Sequence, residues 1–195
     1  MPSTPFIAIT GAGSGLGRGA ALGLARKGAR VLAAVQFPEQ ADALRAAAAA
    51  EKLTLRVEKV DLLQASDREF LAGEEIDALI NNAGVSETGP IAEQPMDLVR
   101  AVFETNVFAA LALSQLAARG MVGRGHGRII FVSSLAGLTA IPYVGAYCAS
   151  KHALEAIAGC MNAELAPHGV KVLTFNPGPY KTGFTTACGP PVRAG

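Results

Sequence analysis

The sequence predicts an α/β fold, a doubly wound and mainly parallel sheet in one domain, and three observations carry the prediction. Short β-rich runs alternate with longer helical patterns along nearly the whole chain. Half of the 195 residues are apolar and only 17% are charged, which suits strands buried on both faces. The first strand also runs directly into a glycine-rich turn, and a helix follows it.

Six runs read as strands: FIAIT (Phe6 to Thr10), RVLAAV (Arg30 to Val35), LTLRVEKV (Leu53 to Val60), IDALIN (Ile76 to Asn81), GRIIFVS (Gly127 to Ser133) and VKVLTF (Val170 to Phe175). Between them lie helical patterns at LGRGAALGLARKG, Glu39 to Lys52, the segment after Ser66, Met96 to Gly120 and Tyr147 to Pro167. Ser66 with Glu69 fits a capping box, and Gly120 and Gly169 sit where helices should stop. The run Ala46 to Ala50 is helix-favouring filler. Strand and helix alternation of this kind implies right-handed crossovers. With no internal repeat or linker, residues 1–195 read as one domain, of which 176–195, rich in Gly, Pro and Thr, read as a loop-like tail.

Composition excludes several classes. A formal net charge of +1, without a basic cluster, gives no electrostatic reason to expect nucleic acid or an acidic membrane as partner. Cys148, Cys160 and Cys188 are too widely spaced for a metal pair, so no metal is expected and the thiols read as buried or idle in a reducing compartment. Cys148 follows Tyr147 directly, but adjacent helical residues point about 100° apart, so it takes no catalytic role. The N-terminus lacks a basic region and a sufficient apolar run for a signal peptide, and no run of about 18 apolar residues suggests a membrane span. A cytoplasmic protein is expected.

Gly11, Gly13, Gly15 and Gly17, with Ser14 and Leu16 between them, form the turn between the first strand and the first helix. Glycines let the backbone approach a pyrophosphate closely, and the first N–H groups of the helix supply donors and a positive dipole end. The context on both sides points to a dinucleotide. A phosphate loop of the Walker type is excluded, because no Lys-Ser or Lys-Thr follows at the needed spacing. At the end of the second strand, where a carboxylate selects NAD and a basic residue NADP, stand Val35 and Gln36. The missing carboxylate removes repulsion against a phosphate, so the reading leans to NADP with NAD open.

In AYCASKHALE, Tyr147 precedes Lys151 by one helical turn. Residues at this spacing share a face with Cβ atoms about 6 Å apart, and a nearby cation favours phenolate over phenol. Spacing alone leaves two readings: a proton-transfer pair, or a packed Tyr with a solvated Lys across its edge.

Taken together these residues resemble the classical short-chain dehydrogenase/reductase family, and with it the Rossmann fold. TGAGSGLG (Thr10 to Gly17) is similar to its glycine motif, and NNAG (Asn81 to Gly84) to the motif after its fourth strand. VSS ends on Ser134, thirteen residues before Tyr147, the YxxxK element follows, and NPGPYKT is similar to the Pro-Gly turn after the sixth strand. The resemblance implies an NAD(P)-dependent oxidoreductase interconverting a secondary alcohol and a ketone. It implies Tyr147 as general acid and base, Lys151 lowering its pKa and binding the nicotinamide ribose, Ser134 holding the substrate oxygen and Asn106 supporting a water relay to the lysine. Strand alternation lets only one of Ser133 and Ser134 face the site, and the spacing favours Ser134. It further implies adenine contacts from Asp61 and Leu62, a backbone contact from Asn82, and carboxamide-side contacts from Pro177, Gly178, Tyr180 and Thr182, with Gln36 near the adenosine ribose. For Asp61, a helix-flanking cap is the competing reading.

Relatives continue past the Pro-Gly turn into a substrate-covering segment and a seventh strand, and the sequence through Gly195 carries neither. The pocket, the oligomeric state (dimer or tetramer) and one sheet edge are therefore left open. Two other functions compete: a non-catalytic dinucleotide-binding sensor or scaffold, and a nucleotide-sugar epimerase. Retention of Ser134, Tyr147 and Lys151 argues against the first, and the glycine spacing and shortness against the second. Residues Val85 to Ile91 and Leu135 to Tyr143 are expected to wall the pocket; they are mixed, with Leu138, Ile141 and Tyr143 apolar and Ser86, Glu87 and Thr139 polar, so they permit a medium-sized, largely apolar ketone or alcohol and leave steroids, acyl thioesters, sugars and quinones open.

Overall fold

A computed structural model describes residues 4–180. Six strands, β1 (Phe6–Ile9), β2 (Arg30–Val35), β3 (Arg56–Lys59), β4 (Ala78–Asn81), β5 (Gly127–Val132) and β6 (Val170–Phe175), pair in parallel in the order β3-β2-β1-β4-β5-β6. The chain steps outward from β1 to β3, returns to the other side of β1, and steps outward again. That reversal between β1 and β4 is a topological switch point, which opens a crevice beyond the strands' carboxyl ends. The helices are α1 (Gly15–Arg26), α2 (Pro38–Ala50), α3 (Ala65–Arg68), α4 (Met96–Phe103), α5 (Ala110–Arg124) and α6 (Gly145–Leu165).

Alternation along the strands feeds two cores. Phe6 and Ala8 of β1 join Ile129 and Phe131 of β5 against Leu113 and Met121 of α5 and Leu154 of α6. Ile9 faces the other way, joining Ala33 and Val35 of β2 against Leu22 of α1 and Leu44 of α2. A fully buried side chain such as Phe131 contributes about 1.5–3 kcal/mol of apolar transfer. The second face is covered only partly: beside α1, Ile80, Ile130, Val132 and Phe175 line a groove of about 760 Å³, and Leu173 and Phe175 are 48% and 51% exposed.

Two expected helix signals are corrected. Gly120 lies inside α5, which runs on to Arg124 and stops at Gly125, whose φ of 74° supplies the left-handed cap. Ser66 lies within α3, where Gln64 is the capping residue, so the Ser66–Glu69 box does not form. Asp67 instead accepts the Asp61 N–H at 2.9 Å, tying this short helix to the end of β3. Gly169 does end its helical stretch, with φ 76° after the turn Ala166–His168. The continuous helical stretch Met96–Arg124 is long and apolar enough to cross a membrane by length and composition. In the fold it carries the buried residues Val102, Val107, Leu113 and Met121, the last two in the core against the sheet.

Candidate active site

The turn after β1 is laced to the end of β4. The Thr10 hydroxyl accepts from the N–H groups of Asn82 and Ala83, both at 3.1 Å, and the Asn82 carboxamide donates to the carbonyls of Thr10 at 3.0 Å and Gly11 at 3.1 Å. Gly11 holds φ +64°, a left-handed conformation that favours glycine. A Cβ at Gly17 would fall onto the Gly11 carbonyl and the Asn82 carboxamide, so this close approach requires glycine. Ser14 precedes α1 without a side-chain cap bond, and the first turn of α1 holds no acidic residue. The leading N–H groups of α1 and its positive dipole end are thus left for an anion, which fits the phosphates of a dinucleotide.

Along the adenosine side, Gln36 is exposed, and its backbone N–H donates to Oε1 of Gln40 at 3.0 Å. Gln40 also accepts from Phe37 and packs against Gly13, where a Cβ would meet its carboxamide carbon at 2.5 Å. Asp61 uses one carboxylate oxygen to accept the Leu63 N–H at 3.0 Å, a local turn ahead of α3, whose capping residue is Gln64 and not Asp61. Leu62 is half-buried against the first core.

The central residues converge on α6. Lys151 is only 4% exposed, donates from Nζ to the Val132 carbonyl at 2.8 Å, and lies 5.6 Å from the centroid of the Tyr147 ring. Burial lowers its pKa from the ordinary 10.5 to about 8, with the Glu155 carboxylate pulling the other way. Asn106 sits in a π-helical stretch, Glu104–Ala109, and is fully buried. It brackets Val85, accepting its N–H at 2.8 Å and donating to its carbonyl at 2.9 Å, and donates to the Ser150 hydroxyl at 3.0 Å. It therefore pins the loop after β4 instead of solvating a kink. A Cβ on Gly84 would stand 3.2 Å from Oδ1 of Asn106 and 3.6 Å from Nζ of Lys151, so the missing side chain leaves the space between them open.

Ser133 and Ser134 separate as strand alternation demands. Ser133 is 2% exposed with its hydroxyl turned inward, whereas Ser134 is half-buried at the start of the turn Leu135–Gly137. The Ser134 hydroxyl accepts the Ala136 N–H at 3.1 Å, and a hydroxyl that accepts there still has a hydrogen to donate. Pro177 and Gly178 are half-buried, with the Pro177 carbonyl accepting the Leu135 N–H at 3.2 Å. Tyr180 is 56% exposed, and Thr182 lies outside the described residues. The two expected wall segments meet where the Gly89 N–H donates to the Tyr143 carbonyl at 2.8 Å, and the second is tied to α6, whose Cys148 thiol accepts the Ile141 N–H at 3.4 Å. Their exposed side chains include Val85, Ile91, Leu138, Ile141 and Tyr143, with the polar Thr139 exposed among them and Ser86 and Glu87 partly so, a largely apolar but mixed rim.

Thr10 and Asn176 open two of the motifs but carry no role assigned from sequence, and Gln40, Ser150 and Glu155 are contributors that local sequence spacing does not mark. Ser150 meets Asn106 from 44 residues away, so only the fold brings the pair together.

The family model described as short chain dehydrogenase matches residues 5–191. The chain belongs to the short-chain dehydrogenase family. Among short-chain dehydrogenase relatives, it is 37% identical over 182 residues to the uncharacterized oxidoreductase YusZ of Bacillus subtilis, a match covering 89% of this chain and 64% of that protein. The chain thus spans less than two thirds of that relative's length. A crystal structure described as that of a "putative NAD(P) dependent gluconate 5-dehydrogenase" from Beutenbergia cavernae, with NADP bound at low occupancy, superposes with a TM-score of 0.87 at 34% identity, covering 95% of this chain and 76% of that one. A xylitol dehydrogenase bound to NAD⁺ superposes with a TM-score of 0.83 at 27% identity, covering 89% and 73%. The sheet order and the crevice at the switch point are those of a Rossmann-type short-chain dehydrogenase.

Proposed function

We propose that the protein is an NAD(P)-dependent oxidoreductase that interconverts a secondary alcohol and a ketone, with Tyr147 as the proton-transfer group. The observation that carries this reading is the buried Lys151 ammonium, held on the Val132 carbonyl beside the Tyr147 ring. A dinucleotide sensor has no use for such a pair. The nicotinamide of the bound cofactor supplies or accepts the hydride.

The chain's own residues do the rest. The cradle of Gly11, Gly13, Ser14, Gly15, Leu16 and Gly17 would hold the pyrophosphate, and the turn at Pro177 and Gly178 the nicotinamide side. Lys151, titrating near 8, is mostly an ammonium at neutral pH and favours the Tyr147 phenolate. Tyr147 gives its proton to the carbonyl oxygen in reduction and takes it from the alcohol in oxidation. Ser134 donates its hydroxyl hydrogen to the same oxygen, stabilising the developing alkoxide. Asn106 keeps the loop at Val85 in register and the space beside Lys151 open, which suits a proton-relaying water. The absence of a carboxylate at Val35 and Gln36 leans the preference to NADP. The mixed, largely apolar rim admits a medium-sized, largely apolar ketone or alcohol and excludes little, and Cys148 and Cys160 are free thiols compatible with the cytoplasm as the working compartment.

Titration of the chain with NADPH and, separately, NADH, followed by nicotinamide fluorescence, tests the reading. Saturable binding of at least one is expected; binding of neither contradicts it.

A further inference from the structure

Asn176 is the first residue after β6, where the chain turns toward Pro177 and Gly178. Its single carboxamide nitrogen has two hydrogens, and both are directed at groups of the candidate site. One is donated to Oε1 of Glu155 on α6 at 2.6 Å, the other to the Ser134 backbone carbonyl at 3.3 Å. Glu155 stands one helical turn beyond Lys151 and two beyond Tyr147, on the same side of α6. The contact is reinforced on both flanks: the Ser133 N–H donates to the Phe175 carbonyl at 2.8 Å, and the Leu135 N–H to the Pro177 carbonyl at 3.2 Å. Three segments that sequence spacing treats separately therefore meet at one amide.

We propose that Glu155 and Asn176 form a positioning link, through which the helix that carries Tyr147 and Lys151 fixes the backbone of Ser134 and the start of the Pro177–Gly178 turn. The proposal rests on the proton-transfer reading above and adds two residues to it, neither of which touches the reacting atoms. A carboxylate accepting from an amide in a half-buried place is a charge-assisted bond, stronger and shorter than a neutral one. Its loss frees the Asn176 side chain and with it the restraint on the Ser134 carbonyl. The Ser134 hydroxyl must stay in line with Tyr147 for both to reach one substrate oxygen, and a displacement of about 1 Å at such a site costs up to about a hundredfold in rate.

Three variants of the chain, Glu155→Ala, Asn176→Ala and Glu155→Gln, test the link with NADPH or NADH and a panel of aryl alkyl ketones. Glu155→Ala and Asn176→Ala should each lower kcat by about 10–100-fold while ketone KM and cofactor Kd stay within about twofold. Glu155→Gln keeps a carbonyl oxygen for Asn176 and should recover most of kcat, and the double alanine variant should be no slower than the slower single one. Unchanged turnover in both alanine variants, or a matching loss of cofactor affinity, overturns the link. Tyr147→Phe in the same assay separates the two ideas: retained turnover there overturns the proton-transfer reading, whereas lost turnover there with full turnover in both alanine variants overturns the link alone. A readout without ketone is amide hydrogen exchange over Leu135–Gly137, expected to quicken about tenfold or more in both alanine variants. Unchanged exchange there overturns the proposal regardless of activity.

Discussion

Lys151 is tied to the carboxyl end of β5 by its 2.8 Å hydrogen bond to the Val132 carbonyl, with little of the side chain left to solvent. One bond thus holds a cation at the crevice mouth, two residues before Ser134 and one turn after Tyr147. Burial is the larger influence on its pKa, and the Glu155 carboxylate opposes it in part.

That burial predicts a pH signature. Lys151 titrates near 8 when folded and near 10.5 when unfolded, so between those values the unfolded chain binds more protons and stability through this group rises with pH. Below the folded value both states are charged, and the full cost of burying the ammonium is present. Lys151→Met should therefore raise the urea midpoint over that of the parent near neutral pH, with the gap narrowing from about pH 8 to about pH 10. A gap that stays constant across that window contradicts the assignment.

Asn106→Ala removes the partner of the part-buried Val85 N–H and of the Val85 carbonyl, and takes from the buried Ser150 hydroxyl one of its two hydrogen bonds, the other going to the Tyr147 carbonyl at 2.7 Å. A loss of about 2–4 kcal/mol in unfolding free energy is expected by denaturant titration, since each stranded group costs on the order of 1–3 kcal/mol. A loss under about 0.5 kcal/mol would mean that Asn106 does not pin the loop.

Gly17→Ala places a methyl group against the Gly11 carbonyl and the Asn82 carboxamide. The turn must shift to admit it, at a cost of about 1–3 kcal/mol, and NADPH or NADH affinity should fall about tenfold or more. Gly19→Ala, next on the same helix with open space around its added carbon, is the control and should bind as the parent does.

Periodicity and punctuation made the strands and the glycine cradle legible, because those features are encoded over a few residues. All six strands fall where their β-rich runs stand, and Ser133 and Ser134 divide as period two requires. Helix ends were harder to place. ARGMVGRG offers three glycines, and only Gly125 takes the left-handed conformation that ends α5. Ser66 and Glu69 satisfy a capping pattern, but Asp67 reaches the backbone at Asp61 and the box does not form. Long-range partners leave no local trace: Asn106 with Ser150, Thr10 with Asn82, and Asn176 with Ser134 are joined only by the order of strands.

The central claim is that Tyr147 moves the proton while hydride passes to or from the nicotinamide of a cofactor whose pyrophosphate would lie in the glycine cradle. Steady-state turnover of aryl alkyl ketones by the parent and by Tyr147→Phe, with cofactor Kd measured on both, addresses it directly. The account predicts a loss of about 10²–10⁴-fold in kcat with Kd unchanged to within about twofold, because the ring stays and only the proton donor goes. Equal turnover in the two proteins, or a loss of turnover matched by a loss of cofactor affinity, would contradict it.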